Sequence, residues 1–364
     1  MNKKYKVNKG EWSEFYTLLK LLADQKLYAA DEQLKKLEEI FYPVLKVITA
    51  KDSNKEMSYE LDDSDGIKIY NPSTSTILNV SRQSIKDRIY RIYESIKTST
   101  ETTFEIPLAQ EILNDLGSPE IKGYSTKKAD IVLKIHDINT GHKPEVGFSI
   151  KSQLGGASTL LNAGETTNFI FEIENFRGTP EDVNSIEGHA KIRGRMKSIF
   201  DNGGKLKFVR NQSKTFQDNL MKVETLLPAM IAEMLVIYFS GKGATMNEIS
   251  SELERIGYSF LPDQTSQSDL FEFKLKNLLM NVALGMTPAT AWDGLLQAHG
   301  GYIVVREDGE IVCYHLYNLD AFRNYLFRNT KLDTSSTTKH KFGSIYEENG
   351  RLYLKLNLQI RFTD

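Results

Sequence analysis

One cysteine, Cys313, stands in 364 residues, so no disulfide can close within the chain and a reducing compartment is the economical expectation. Long apolar runs are missing as well. The most hydrophobic stretch, A-E-M-L-V-I-Y-F at 232–239, is far shorter than the roughly 20 residues that span a bilayer. The basic start M-N-K-K-Y-K-V-N-K-G-E-W leads into no apolar segment of the secretory kind, and a cytoplasmic protein with no membrane partner is expected. Familiar catalytic patterns are also absent. G-K-G-A-T at 241–245 is not a G-x-x-x-x-G-K-[ST] loop, and no cysteine pair or H-E-x-x-H suggests zinc. No G-x-S-x-G turn presents a serine nucleophile. His299 and His315 flank strand-like sequence and read as structural, and Trp12 and Trp292 read as core.

Net charge, at -2, has no strong sign, so its distribution is what counts. Residues 191–214 hold eight Lys or Arg against one Asp, and S-R-Q-S-I-K-D-R-I-Y-R-I-Y at 81–93 is basic too. Either alone fits a solvated face. Together, in an otherwise acidic chain, they favour an anionic ligand. With 40% hydrophobic and 26% charged residues the composition is globular, and the length allows two domains or one large one.

The periodicities give a mixed pattern. E-W-S-E-F-Y-T-L-L-K-L-L-A-D at 11–24 puts Phe15, Leu18, Leu19 and Leu22 on one helical face. Residues 33–49 read as helix and then strand, and Asn71-Pro72 with the following S-T-S-T as a loop. Helices follow Ser81 and end at Gly117, and strand character runs from 121 to about 176. Basic helix and turn come next, then a long helix ending at Gly241 and further helix to about 298. G-Y-I-V-V-R-E-D-G-E-I-V-C-Y-H-L is a hairpin turning at Asp308-Gly309, and R-L-Y-L-K-L-N-L-Q-I-R-F reads as one alternating strand. The expected class is α/β (α+β) with a mostly antiparallel sheet flanked by helices. Four regions are expected: a mostly helical 1–100, a core at 101–240, a helical 241–298, and a strand-rich 299–364 that completes the core.

A lysine in the apolar strand E-V-G-F-S-I-K-S-Q-L at 145–154 needs a partner. The preceding K-K-A-D-I-V-L-K-I-H-D at 127–137 supplies one if the two form a hairpin turning near Asn139, Gly141 and Pro144. A turn centred between Thr140 and Gly141 sets Asp130 across from Lys151, and alternation puts Ser149 on the same face. A carboxylate, a hydroxyl and an ammonium so grouped suit metal-assisted phosphodiester hydrolysis. The carboxylate holds Mg²⁺, and the lysine orients water and stabilises charge building on phosphorus. An ordinary cross-strand Asp–Lys pair has the same spacing.

Asp130 with S149-I-K151 resembles the PD-(D/E)XK nuclease signature, with Ser where a second acid usually stands. The wider context resembles restriction endonucleases of the HpaII family. The blocks are S-T-K-K-A-D-I-V-L-K-I-H-D, G-F-S-I-K-S-Q-L-G-G-A-S-T-L-L-N-A, T-N-F-I-F-E-I, L-L-M-N-V-A-L-G-M-T-P-A-T-A-W-D-G, G-G-Y-I-V-V, Y-L-F-R-N-T-K-L-D-T-S-S-T-T-K-H and L-K-L-N-L-Q-I-R-F, with K-G-E-W-S-E near the start. The resemblance implies a restriction-endonuclease-like fold and a Mg²⁺-dependent type II endonuclease. Such an enzyme cuts both strands of a short palindrome, CCGG by default, to leave 5′-phosphates.

The site is then one carboxylate short. Glu165, in L-N-A-G-E-T-T-N-F, is the first candidate to join Asp130 on the metal, and Glu111 or Glu105 from the preceding helix is the second. Gln153 shares the face of Lys151 and can reach a metal-bound water or a phosphate. For reading DNA, T-S-S-T-T-K-H-K at 334–341 offers Ser335, Ser336, Thr337, Lys339 and His340 to base edges. S-Q-L-G-G-A-S-T at 152–159 offers Ser152, Ser158 and Thr159, and Arg193, Arg195 and Lys197 are expected on phosphates. The partners implied are double-stranded DNA, a second copy of the chain at least on DNA, and a cognate DNA methyltransferase in the host. The competing readings are a catalytically dead DNA-binding protein, kept open by Ser149, and a nicking or repair nuclease of low specificity.

Overall fold

A computed structural model describes residues 5–50, 56–62, 65–71, 75–117, 129–138, 140–257 and 269–363. The loop at 72–74, the strand onset expected at 121–128 and the turn residue Asn139 lie outside these. The chain divides into two units, residues 1–158 with 296–325 and residues 159–295 with 326–364.

The first unit opens with α1 (Lys9–Asp24), capped by Asn8, whose side chain accepts from Glu11 N while the Glu11 carboxylate answers the Asn8 amide. Trp12, Phe15, Leu19 and Leu22, spaced three or four apart, are buried. There follow β1 (Lys26–Ala30), β2 (Lys36–Ala50), β3 (Glu56–Leu61), β4 (Gly66–Asn71) and β5 (Thr76–Ser81). Next come α2 (Arg82–Thr98), α3 (Pro107–Asp115), β6 (Ile131–Ile135) and β7 (Glu145–Ser152).

The second unit begins with β8 (Thr159–Leu161) and β9 (Asn168–Glu174), then α4 (Pro180–Asn184), α5 (Lys191–Asp201) and β10 (Lys205–Asn211). Four helices follow: α6 (Lys214–Val223), α7 (Leu227–Phe239), α8 (Met246–Arg255) and α9 (Leu270–Leu284). The chain then returns to the first unit with β11 (Gly301–Val305), β12 (Ile311–His315) and most of α10 (Leu319–Arg328). It ends in the second with β13 (Thr330–Leu332), α11 (Thr337–His340), β14 (Ile345–Glu348), β15 (Arg351–Asn357) and β16 (Ile360–Phe362).

The first unit's sheet has the order β1-β12-β11-β7-β6-β2-β3-β4-β5. Its β1–β12 and β11–β7 pairs are parallel and the others antiparallel. Since β1 also pairs with β2, six strands close on one another. The second unit has the sheets β10-β9-β15-β14 and β13-β16-β8, antiparallel throughout. The class is the mixed, mostly antiparallel α/β type expected. Among the described residues no helix is long and apolar enough to cross a membrane.

Three expectations fail. Residues 1–100, expected to be mostly helical, carry the five strands β1–β5 beside α1 and α2. Residues 36–50 are strand, and no helix falls within 33–49. Pro43 interrupts any helix there, and the β-branched residues Val44, Val47, Ile48 and Thr49 favour a pleated surface. The C-terminal alternating run is two strands rather than one. It breaks at Leu358, whose amide turns to Thr167 O, and Ile360 then joins β16 to β8.

One core joins α1, α2 and α3 to one side of the first sheet, with Phe148 and Ile150 of β7 and Ile303 and Val305 of β11 among its members. Alternation therefore turns Ser149, Lys151, Tyr302 and Val304 to the other side. There Phe322 of α10 packs on Tyr302, ring centroids 5.0 Å apart.

Candidate functional site

The candidate residues Asp130, Ser149 and Lys151 fall at the strand pair β6–β7. Gly141, at φ 72°, donates its amide to Asp137 O, and Asp137 N donates to His142 O, which centres the turn earlier than expected. The register is shifted by two residues in consequence. Ile131 faces Phe148, Val132 faces Gly147, and Asp130 N donates to Phe148 O at 2.8 Å, so Asp130 lies against Ser149 rather than Lys151. A shift of two preserves the face, so the grouping survives the correction. Gly147 is what lets the strands close: a Cβ there would stand 2.8 Å from that of Ala129.

Asp130 Oδ2 accepts from Ser149 Oγ at 3.0 Å and from Ile150 N at 2.7 Å. Ser149, 3% exposed, thus spends its hydroxyl proton on the Asp130 carboxylate. On the parallel neighbour β11, Tyr302 sits beside Ser149 and Val304 beside Lys151. The Lys151 ammonium lies 5.8 Å from the centre of the Tyr302 ring. Burial, with the Asp130 charge adding to it, pushes the Tyr302 phenol well above its usual range, so the ring is a neutral wall under the lysine.

The other candidates are placed differently. Gln153 is exposed beyond Lys151, its amide held by Val305 O. Ser152 faces the α1 side, where Ser13 Oγ donates to it at 2.8 Å, and it offers nothing to the Lys151 face. Glu111 is exposed on α3, a helix whose Ala109, Ile112 and Leu113 belong to the core on the Phe148 side. Alternation places Ser149 and Lys151 on the opposite side, so the expectation that α3 turns its acid towards the metal is not met. Glu105 is exposed ahead of that helix. Glu165 belongs to the second unit and accepts from Lys341 Nζ at 2.9 Å and from Gln212 Nε2 at 3.3 Å. Its hydrogen bond to Lys341 holds the carboxyl below the usual range.

Among the described residues no three His, Cys, Asp or Glu side chains assemble into a metal cluster. The donor set at Asp130 is one carboxylate beside a hydroxyl. It suits a hard ion such as Mg²⁺, which keeps several waters and takes further oxygens from a phosphate, and not a closed protein cage.

The second unit holds a cleft of about 460 Å³ lined by Lys191, Thr337, Thr338, Lys341, Tyr346 and Lys355. Arg195 forms part of its wall and is 3% exposed, with all five N–H donors used. They go to Ile186 O, Gly343 O, Ser344 Oγ, Asn184 O and Glu187 Oε1, so Arg195 is a strut and the expected phosphate contact is corrected. Arg193 and Lys197 are exposed, the latter paired with Asp201 at 2.5 Å. In the 334–341 segment Ser335 Oγ donates to Asn357 Oδ1, Ser336 caps α11 through Lys339 N, and Lys339 is exposed. His340 lends its carbonyl to Asn168 Nδ2 at 2.9 Å. Ser158 and Thr159 are half-buried where the chain passes from the first unit to the second, Thr159 pairing with Arg361.

Asn168 and Asn357, both buried, were missed by sequence reasoning, as were Tyr302 and Lys355, while Lys191 and Lys341 fell inside the 191–214 and 334–341 stretches without being singled out. Asn357 Nδ2 reaches Gly164 O, Thr167 Oγ1 and Asn168 Oδ1. A signal existed: in L-Y-L-K-L-N the leucines take one face of β15 and Tyr353, Lys355 and Asn357 the other.

A strand pair that joins a carboxylate to a lysine-bearing neighbour, on a mixed sheet, is compatible with a nuclease and also with an ordinary cross-strand ion pair, so the family decides. The family model described as HpaII restriction endonuclease matches residues 8–362. The chain is 40% identical over 359 residues to the type II restriction enzyme HpaII of Haemophilus parainfluenzae, covering 98% of each chain. No solved structure matches. The chain belongs to the HpaII restriction endonuclease family and is a type II restriction endonuclease.

Proposed function

We propose that the protein hydrolyses one phosphodiester in each strand of a short palindromic duplex site, in a Mg²⁺-dependent reaction that leaves 5′-phosphates. CCGG as the site rests on family resemblance. The observation that carries the mechanism is the Asp130–Ser149 hydrogen bond with Lys151 on the same strand face. Asp130 is the residue that would hold the ion, and a bound Mg²⁺ polarises the phosphate and lowers the pKa of water. Ser149 and Ile150 N fix the Asp130 carboxylate against rotation. Lys151, upright on the Tyr302 ring, orients the attacking water and meets the charge that grows on phosphorus. The water oxygen bonds to phosphorus as the bond to O3′ breaks, the attacking water gives its proton to solvent and O3′ takes one from solvent, so the upstream fragment leaves with a 3′-hydroxyl and the downstream one keeps the 5′-phosphate. Cutting both strands requires two such sites, which a homodimer formed at least on DNA supplies, and a cognate methyltransferase protects host DNA.

The test is digestion of a sequenced plasmid with Mg²⁺ or EDTA, alongside Asp130→Ala and Lys151→Ala. Discrete Mg²⁺-dependent bands are expected. Lys151→Ala should slow cleavage by about 10²–10³-fold, as for removal of one preorganised charge donor, and Asp130→Ala by at least as much. Cleavage that persists at the wild-type rate in both variants would place the chemistry elsewhere. End sequencing gives target and cut position together.

A further inference from the structure

Lys355 poses the question that the catalytic strand does not answer. It is half-buried in the second unit's cleft, 5.2 Å from the centre of the Tyr346 ring, and among the described residues no carboxylate lies within ion-pair distance of it. Glu165 acts on this ammonium only through space while bonded to Lys341, so a partly desolvated cation without a carboxylate in contact favours the arrival of an anion. Arg195 adds charge to the same wall with no donor left to give. Glu187 is the one acid that lines the cleft, and it is committed to Lys191 and Arg195.

Lys341 is held in an unusual way. Its backbone lies at φ 53°, a region non-glycine residues seldom occupy, directly after α11. Its side chain is 71% exposed yet directed to Glu165. Behind it, Asn168 binds His340 O and Asn357 binds Ser335, which fixes the segment on both sides of α11.

On the reading that the substrate is duplex DNA, we propose that this cleft takes a segment of phosphodiester backbone, with Lys355, Lys341 and Lys191 as its cations. Glu165 is then the internal anion that Lys341 exchanges for a phosphate, and not a ligand of the catalytic metal. The lining carries ammonium groups, threonine hydroxyls and a phenol, which suits a polyanion and not an apolar ligand.

The test is fluorescence anisotropy of labelled duplexes, one with CCGG and one scrambled, in EDTA across a salt series, with Mg²⁺ cleavage measured in parallel. Lys355→Ala and Lys341→Ala should each weaken binding to both duplexes and lower the slope of log Kd against log salt by about 1. Lys355→Met keeps the aliphatic stem on Tyr346, so the same lost slope there assigns the effect to charge. Glu165→Gln should bind both duplexes several-fold more tightly at low salt. Wild-type slopes in the lysine variants overturn the proposal. So does a Glu165→Gln protein that loses cleavage at saturating DNA without tighter binding, which would return Glu165 to the metal. A wild-type protein that cuts plasmid while these variants bind normally removes the cleft alone, whereas one that neither binds nor cuts removes the endonuclease reading beneath it.

Discussion

Two buried polar sites, one in each unit, are held in opposite ways. In the second, Arg195 has a partner for each N–H, and Asn168 and Asn357 saturate each other and the loops around them. In the first, His315 is buried among the rings of Tyr42 and Phe148 with no partner for its Nε2 among the described residues, and Cys313 is enclosed two residues before it. The difference follows from what each unit has to hold in place. A sheet packed on helices is fixed by apolar contact, and its functional groups need only adjacent strand positions. The 334–341 segment lies outside regular strands, so its backbone carbonyls need side-chain donors to fix them.

The sharpest way to break this comparison is Arg195→Ala. If the residue is a strut, its loss leaves the Gly343, Ile186 and Asn184 carbonyls without a donor in a buried site. A loss of about 3 kcal/mol or more in unfolding free energy is expected, read from the urea midpoint. Arg195→Lys should recover little, since an ammonium cannot match a planar fork. An unchanged midpoint with weakened DNA binding would return Arg195 to the phosphates, where its sequence neighbourhood suggested it belonged.

That misplacement shows where the sequence stops being readable. In K-I-R-G-R-M-K the three cations after Lys191 look equivalent, because charge density carries no record of orientation. Orientation on α5 decides between them: Arg195 shares the buried side with Ile192 and Met196, while Arg193 and Lys197 face out. The α helices and the Asp308-Gly309 hairpin were legible because their signals are local: a 3.6-residue period, or a glycine that can hold φ 84°. So was the face shared by Asp130, Ser149 and Lys151, since alternation is local too. The exact register was not, being set by how the turn at 137–142 closes. Glu165 and the asparagine network were hidden for a different reason. Asn168 and Asn357 are 189 residues apart, and nothing near either announces the other.

His315 breaks the comparison from the other side. Burial holds its pKa down at about 4, against 6.5 for an exposed imidazole. The folded chain therefore keeps the ring neutral where the unfolded chain has already taken up a proton. The stability tied to this is whole above pH 6.5 and drains as pH falls from 6.5 to about 4, by roughly 3 kcal/mol in all. Urea midpoints at pH 7 and pH 4.5 should show a clearly smaller acid loss in His315→Phe than in the wild type. Equal losses would mean that the ring is solvated in solution and that the first unit's core is less closed than its packing indicates.

The smallest effect is expected at Ser149, where the comparison turns on a single hydrogen bond. If Ser149 acts by holding the Asp130 carboxylate, Ser149→Ala leaves Ile150 N still bonded to the same oxygen at 2.7 Å. Orientation is then loosened and not lost. A fall of about 10-fold in cleavage rate is expected, the lower end for a group that orients a ligand, with more Mg²⁺ needed for half-maximal rate. Rates over a Mg²⁺ titration at saturating DNA separate the two effects. A Ser149→Ala protein as dead as Asp130→Ala at every Mg²⁺ concentration would mean that the hydroxyl itself reaches the metal or the attacking water. The Ser149 site would then resemble the Asn168–Asn357 network, in which several partners fix one side chain, and the contrast between the two sites would fail on the strand proposed to carry the chemistry.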